Sequence, residues 1–339
     1  MPKIRYNNMD NVSTDKTLKQ LRQWREERRL KNKDHSYVVP NHPPEIDYLH
    51  HNREDASITW VGHSTFFIQY EGLNIVTDPV WASRMGFQKR IGQPGIPIVD
   101  VPPIDIILLS HAHYDHMHIS SIRQLYRSST LIIVPQGLKA KMKRKGFARC
   151  HEMQWWETFK VGEINITFVP TQHWSRRTLL DTNTSHWGGY IIEPVHHPVS
   201  SEQAEHPAHH SIEEKVPPTI YFAGDSGYFP GFTEIGKRYK IHITLMPIGA
   251  YEPEWFMSSQ HTTPEEALRA FGDVQAETMI PMHYGTFRLA DDTAREALDR
   301  LEAERQRLEI DEERIRVLAH GETLIVHGNA QSKQYIDKV

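Results

Sequence analysis

Cysteine is almost absent from this sequence, since Cys150 is the single one among 339 residues. One cysteine can form neither an intramolecular disulfide nor a metal site built from thiolates. The sequence also lacks any run of about 18 apolar residues, the length that a membrane-spanning helix needs. The first twenty residues contain no apolar core of the kind found in signal peptides. We therefore expect a cytoplasmic protein.

The chain has no large excess of positive or negative charge, because it contains 39 basic and 43 acidic residues and its net charge is -4. A chain with this balance lacks the basic surface on which nucleic-acid binding depends, so we expect no nucleic-acid partner. Apolar residues make up 38% of the chain, which is enough for a hydrophobic core. Histidine is abundant by contrast, with 22 copies, and it is the feature that needs an explanation.

Residues 1–56 are predicted to be a charged N-terminal extension. Within them, residues 17–33 place Leu18, Leu21 and Trp24 at helical spacing among many basic residues. Two interpretations stay open: a short helix packed on the body of the protein, or a basic amphipathic helix that touches lipid head groups. Residues 41–51 contain two adjacent prolines and are predicted to be an extended linker.

The remainder, residues 57–339, is predicted to form one α/β domain. Stretches rich in β-branched and aromatic residues alternate with helical stretches, which predicts sheets sandwiched between helices. A turn at Glu71 and Gly72 predicts one hairpin, and residues 315–320 and 322–327 predict a second, closing hairpin. The sequence "TPEEALRAF", beginning at Thr263, starts with a helix-capping pattern.

One insertion, at residues 195–218, interrupts two predicted strands. It is rich in Pro, Ser and Glu and contains five histidines, which predicts a mobile surface loop. Such a loop lacks the fixed geometry that metal catalysis needs, so we expect no functional metal there. The five histidines are His196, His197, His206, His209 and His210.

Potential metal ligands follow several predicted strands at the point where each strand ends. Side chains at the ends of neighbouring strands converge at one edge of a sheet, so ligands that are far apart in sequence can meet there. One strand is followed by four of them, in "HAHYDH", and other strands are followed by one each. The residues are His111, His113, Asp115, His116, His173, Asp225, His283 and, earlier in the chain, Asp78.

Imidazoles and carboxylates without a thiolate suit zinc, with iron or manganese as alternatives. Five imidazoles and two carboxylates are about the number that two divalent ions need if each keeps an open position. A carboxylate could bridge the two ions, and a hydroxide could lie opposite it. The metals would lower the pKa of bound water from about 15.7 towards about 7, which makes a nucleophile available at neutral pH.

The sequence "HAHYDH" resembles the His-x-His-x-Asp-His signature of the metallo-β-lactamase superfamily, and the later ligands of that family follow it. The resemblance implies an αββα sandwich. It also implies that Asp225 bridges two metals and that Asp78 orients ligands without touching the ions. By the same resemblance, one metal is held by His111, His113 and His173, and the other by Asp115, His116 and His283.

A narrower resemblance runs from about Ile58 to Arg288. The blocks "TQHWSRRTLLDTN", "FAGDSGY", "GAYEPEWFM", "QHTTPEEAL" and "MHYGTF" are similar to the N-acylphosphatidylethanolamine-hydrolysing phospholipase D group. This resemblance implies a phosphodiesterase that releases N-acylethanolamine and phosphatidic acid from a phospholipid. It also implies peripheral contact with a membrane and a homodimer.

Asp115 and His261 are the predicted catalytic residues; the resemblance implies that His261 faces the metal cleft, where it would act on the leaving alcohol. The alternative for His261 is that it merely caps the following helix. His63, Trp174 and Tyr251 are predicted to contact ligands or substrate, although each could instead be structural. Arg176 and Arg177 could face a phosphate or solvent.

Two other functions stay open. The same metal site could serve a lactonase or a hydrolase of another phosphodiester, because the fold alone does not select the bond that is cleaved. The chain could also be a non-catalytic protein that binds a lipid or metabolite. The complete set of seven ligands argues against this last possibility.

Overall fold

The computed structural model describes residues 4–195 and 217–326. Helix α1 begins after Thr17, whose side chain accepts a hydrogen bond from the backbone of Gln20, and the predicted helix in this segment is confirmed. The predicted linker is wrong in part, because residues 46–51 form a short helix that buries Leu49. The helices are α1 (Leu18–Leu30), α2 (Ile46–His51), α3 (Ile119–Leu125), α4 (Lys139–Arg144), α5 (Gly231–Arg238), α6 (Glu254–Met257), α7 (Pro264–Asp273) and α8 (Ala294–Arg307).

The strands form a seven-stranded sheet, a six-stranded sheet and a small two-stranded hairpin within the described ranges. The strands are β1 (Ala56–Gly62), β2 (Thr65–Tyr70), β3 (Leu73–Thr77), β4 (Arg84–Met85), β5 (Gln88–Lys89), β6 (Ile106–Leu108), β7 (Leu131–Pro135), β8 (Cys150–Met153), β9 (Thr158–Val161), β10 (Ile164–Val169), β11 (Gly189–Pro194), β12 (Ile220–Phe222), β13 (Ile243–Pro247), β14 (Thr278–Met282) and β15 (Thr323–Val326).

The first sheet has the order β15-β1-β2-β3-β6-β7-β8, and the second has the order β14-β13-β12-β11-β10-β9. Strands β3, β6, β7 and β8 pair in parallel, as do β12, β13 and β14. Strand β1 has the direction of β3, and β10 has the direction of β12, because each lies two antiparallel pairings away. The carboxyl ends of these strands therefore lie at a common edge in each sheet.

Two hydrophobic clusters show the layering of the fold. Side chains alternate between the faces of β1, so that Trp60 enters the large cluster shared by both sheets whereas Val61 enters the outer cluster. The outer cluster also contains Leu49, Ile122 and Met142, from the three helices α2, α3 and α4. Since α5, α7 and α8 contribute to the other cluster, the αββα sandwich is confirmed.

The closing hairpin predicted for residues 315–327 is wrong. Ile315 forms a bridge to Met279 of β14 in the second sheet, whereas β15 pairs with β1 in the first sheet, with Ala56 opposite Val326. Ile315 and β15, which are close in sequence, thus pair with different sheets. Local pattern could not reveal this, because the pairing partners lie far away in the sequence.

The N-terminal segment packs on the body of the protein. The ring of Trp24 stacks on that of Phe256 at 5.0 Å, and its indole nitrogen donates to Asp291 at 3.0 Å. These contacts favour the first of the two interpretations of α1. None of the helices within residues 4–195 and 217–326 is both long enough and apolar enough to cross a bilayer. The five histidines predicted to lie in a surface loop fall outside the described residues.

Candidate metal centre

The predicted ligands lie after the carboxyl ends of strands that run in the same direction. His111 follows β6, His173 follows β10, Asp225 follows β12 and His283 follows β14. Gly224, at φ +62°, permits the close approach that the site requires, because a Cβ there would lie 2.9 Å from the Cβ of Ser110. The two sheets thus place ligands from about 170 residues of chain at one edge.

A first set of nitrogens, which we call the three-histidine group, consists of His111, His113 and His173. His111 Nε2 lies 2.8 Å from His113 Nδ1, and His173 Nε2 lies 3.2 Å from the same atom. His111 and His113 come from the loop before α3, and His173 comes from the opposite sheet. One ligand atom from each lies within 4.8 Å of the others, so the group could hold a metal ion.

A second set, the mixed group, contains Asp115, His116, His283 and also His63. His116 Nε2 lies 3.3 Å from His283 Nε2, and His63 Nε2 lies 3.0 Å from Asp115 Oδ2. These four residues also have ligand atoms within 4.8 Å of one another. The sequence predicted a contact between His63 and ligands or substrate, and the structure brings its ring directly onto a predicted ligand.

Asp225 lies between the two groups. Its Oδ2 atom is 3.0 Å from His116 Nε2 and 3.1 Å from His283 Nε2, and it is 3.8 Å from His173 Nε2. The other oxygen, Oδ1, is buried and has no hydrogen-bond partner among the described residues. A buried carboxylate oxygen without a partner is costly, and a bound cation would satisfy it. The donor set of imidazoles and carboxylates fits divalent metal ions.

Burial keeps the three-histidine group neutral. It lowers the pKa of His113 to about 3 and that of His173 to about 4, and the pKa of His111 also falls well below its usual value. Neutral imidazole is the form that binds metals. The nitrogens of this group are therefore available as ligands at neutral pH.

In the mixed group, His116 and His283 are instead paired with carboxylates, whereas burial lowers the pKa of His63 to about 3. Burial alone would raise the pKa of Asp225, but His116 and His283 hold it well below its usual value. Burial would lower the pKa of His283, but Asp225 and Asp115 raise it to about 9. Carboxylates and protonated imidazoles thus stabilise each other when no cation is bound.

Asp78 connects ligands of both groups, and one of its oxygens lies within 4.8 Å of ligand atoms of His111 and His116. Its Oδ2 atom lies 2.7 Å from His116 Nδ1, and the same carboxylate accepts hydrogen bonds from the backbone and side chain of Ser110. Ser110 Oγ lies 2.8 Å from His111 Nδ1. A carboxylate on the far nitrogen of a ligand fixes the orientation and tautomer of the ring.

Three residues of the site have backbone conformations that are unfavourable for side chains other than glycine. The φ angles are +56° at His63, +33° at Asp78 and +64° at His283. Each such conformation costs roughly 1–3 kcal/mol and persists only where the surroundings enforce it. The fold therefore tolerates strain at the strand ends that carry the site.

His261 faces the cluster rather than capping α7, because Thr263 is the residue that caps this helix. His261 Nδ1 lies 4.0 Å from Asp225 Oδ2, and its ring stacks on that of His283 at 5.3 Å. Burial lowers its pKa well below the usual value, so the imidazole is neutral at pH 7. His261 is therefore placed between the two groups as an N–H donor or as a further ligand.

The remaining predicted residues divide between the site and the framework. Trp174 packs edge-on against His113 at 4.6 Å and borders the site. Tyr251 instead lies in the large hydrophobic cluster, with the guanidinium of Arg300 over its ring. Arg177 donates to the carbonyls of Ala112 and Met117, so its cation holds the ligand loop together.

The family follows from a match between residues 73–284 and the family model described as "Beta-lactamase superfamily domain". The chain belongs to this family. One curated relative comes from Saccharomyces cerevisiae and is 35% identical to this chain over 256 residues. It is named N-acyl-phosphatidylethanolamine-hydrolyzing phospholipase D, mitochondrial. That match covers 72% of this chain and 50% of the yeast protein.

A second relative, from Caenorhabditis elegans, is named N-acyl-phosphatidylethanolamine-hydrolyzing phospholipase D 1 and is 33% identical over 255 residues. The match covers 70% of this chain and 66% of the worm protein. The chain therefore spans about half to two thirds of the length of these curated relatives. The resemblance to this group that the motifs indicated is confirmed.

Among solved structures, Igni18, a metallo hydrolase from Ignicoccus hospitalis, superposes with a TM-score of 0.56 at 22% identity. The superposition covers 80% of this chain and 98% of that one. This likeness supports the metallo-β-lactamase fold. The family membership and the side-chain clusters able to hold metal ions together identify the chain as a metal-dependent hydrolase.

Proposed function

We propose that the protein is a phospholipase D-type phosphodiesterase with two divalent metal ions, for which zinc is the first candidate. Its substrate would be N-acylphosphatidylethanolamine, and its products N-acylethanolamine and phosphatidic acid. The observation that carries the proposal of two metals is the position of Asp225 Oδ2, which lies close to nitrogens of both the three-histidine and the mixed group. The choice of substrate is supported by the names of the yeast and worm relatives.

The two groups would each hold one metal, with Asp225 between them. When bound, two divalent ions would supply a nucleophile at neutral pH and neutralise the oxygens of a phosphodiester. Asp115 borders this space with 16% of its side chain exposed, more than Asp225 at 2%. We assign Asp115, supported by His63, to the face of the centre that substrate reaches.

His261 would act on the leaving oxygen. Since burial keeps its imidazole neutral, the ring stabilises the developing charge by donating an N–H hydrogen bond rather than as a cation. Trp174 would border the acyl chain or head group, with the guanidinium of Arg176 5.1 Å from its ring. Tyr251 would act only by supporting the loop that follows β13.

A lipid substrate implies contact with a micelle or a bilayer surface. Leu179 and Leu180 are 89% and 81% exposed, in the loop that follows His173. The exposure of both leucines in this loop supports peripheral membrane contact. A homodimer and a cytoplasmic location stay as predictions from the sequence.

The test is hydrolysis of N-acylphosphatidylethanolamine in detergent micelles, with metal content measured on the same sample. We expect release of N-acylethanolamine with about two metals per chain, and loss of turnover after chelation. The matched control is Asp10→Asn, an exposed substitution, beside Asp225→Asn. Two metals without this product would contradict the substrate and favour a lactone or another phosphodiester. Absence of metal would contradict the centre itself and favour a binding protein.

A further inference from the structure

The N-terminal segment, although it precedes the first strand, lies against the loops that carry His173 and His261. The backbone nitrogen of Tyr6 donates to the carbonyl of Asn183, at 2.9 Å. Lys16 Nζ donates to Ser259 Oγ, also at 2.9 Å. Residues 6–16, which we call the strap, therefore contact both of these loops.

Asn8 makes the closest connection between the strap and the metal centre. Its side chain is buried, and its Oδ1 atom accepts a hydrogen bond from the backbone nitrogen of His173 at 3.0 Å. The same oxygen accepts from Trp187 Nε1 at 3.0 Å, and Nδ2 donates to the carbonyl of Val12 at 2.9 Å. All of the side chain's polar atoms are thus engaged, and one of them holds the backbone of a ligand.

The loop that carries His173 is fixed on its other side by the loop before α7. Gln172 Nε2 donates to the carbonyl of Ser259, and the carbonyl of Gln260 lies 2.9 Å from His173 Nδ1. The ring of His173 is thus oriented by Gln260, and its backbone by Asn8. The two contacts act on different parts of His173, so removal of the Asn8 contact releases the backbone and leaves the contact of the ring with Gln260 in place.

We propose that Asn8 is a positioning residue for the three-histidine group, and that the strap acts on the metal centre through this one side chain. This inference rests on the proposed metal centre and assigns part of its geometry to a segment outside the residues that match the family model. Without the Asn8 acceptor, the backbone N–H of His173 would be buried and unpaired, which costs free energy that local rearrangement of the loop would relieve. Such a rearrangement would move His173 Nε2 away from His113 and Asp225.

The test compares Asn8→Leu, which keeps a similar side-chain volume without an acceptor, with Asn7→Leu at the exposed neighbouring position. We expect Asn8→Leu to bind the more weakly held of two Zn²⁺ or Co²⁺ ions about 10- to 100-fold less tightly than the wild type. The absorption bands of the Co²⁺-loaded protein should change as well, because they report ligand geometry. Asn8→Asp, which keeps an acceptor oxygen, should lose less affinity, and Asn7→Leu should match the wild type.

The outcomes separate this inference from the proposed function. Wild-type protein that binds no divalent metal would remove the centre, and the role of Asn8 with it. Wild-type protein that binds two ions, with unchanged affinity and unchanged Co²⁺ bands in Asn8→Leu, would overturn the inference alone. If Asn8→Leu does not fold, the same comparison is made with Asn8→Ala, which also lacks the acceptor, and a metal affinity and Co²⁺ bands equal to those of the wild type would overturn the inference.

Discussion

The three-histidine group and the mixed group meet at one carboxylate but are held together by different forces. In the first, burial makes the imidazoles neutral, and His173 is oriented by hydrogen bonds that Asn8 and Gln260 accept, while Ser110 contacts His111. In the second, oppositely charged groups attract one another when no cation is bound. The comparison shows that neutral ligands are held together by the hydrogen bonds and packing around them, whereas charged ligands also attract one another directly.

Asp225→Asn breaks the comparison at the residue that the two groups share. One nitrogen of each of five histidines lies within 4.0 Å of Asp225 Oδ2. The neutral amide would bring no charge to the space between the groups, so we expect metal content to fall in both and turnover to reach background. Metal analysis and hydrolysis assays check this, with Asp10→Asn as control. Retention of both metals would show that Asp225 does not hold them.

His261→Ala separates chemistry from metal binding. Because His261 Nδ1 is 4.0 Å from Asp225 Oδ2, the ring is placed to act on substrate while the two groups keep their own ligands. We expect turnover to fall about 100- to 10,000-fold with metal content unchanged. His42→Ala, at an exposed histidine, is the matched control. A lower metal content in His261→Ala would make the residue a ligand.

Asp78→Asn sharpens the comparison, because it weakens the mixed group from outside. The amide can no longer stabilise His116 through a charged hydrogen bond at 2.7 Å. We expect metal affinity to fall about 10- to 100-fold, measured by competition with a chelator. An unchanged affinity would show that the charged hydrogen bond between Asp78 and His116 is not needed for metal binding.

A buried histidine outside the centre tests whether burial alone explains the neutral imidazoles. Burial lowers the pKa of His186 from 6.5 to about 3, with Tyr6 and Trp155 packed on its ring. Between these values the unfolded chain binds the proton more tightly than the folded one. Folded-state stability is therefore lost as the pH falls from about 6.5 towards 3, by about 1.4 kcal/mol per pH unit for this group.

His186→Asn removes this titration while keeping an acceptor for the backbone nitrogen of Trp187, which lies 3.0 Å from His186 Nδ1. We expect denaturant unfolding of metal-free protein to show a shallower loss of stability with acid, by about one proton. Gln124→Asn, an exposed substitution that removes no titratable group, should keep the wild-type slope. An equal slope in His186→Asn would mean that burial does not set the charge of this ring.

Much of the site could be predicted, because its ligands directly follow strands that the local pattern reveals. His111 and Asp225 are examples, since each ends an apolar run. The role of His63 was harder to assign, as its contact with Asp115 depends on the turn between β1 and β2. Asn8 carries no sequence signal, because it contacts His173 across 165 residues.

The sequence by itself determined the kinds of ligand, their spacing in "HAHYDH" and the layered α/β fold. Local chemistry is sufficient for this, since strand periodicity and metal-binding side chains are both visible in short stretches. The tertiary structure decided which histidines are neighbours, that Asp225 lies between them, and that Ile315 and β15 pair with different sheets. Those outcomes depend on strand direction and long-range pairing, which a local pattern does not encode.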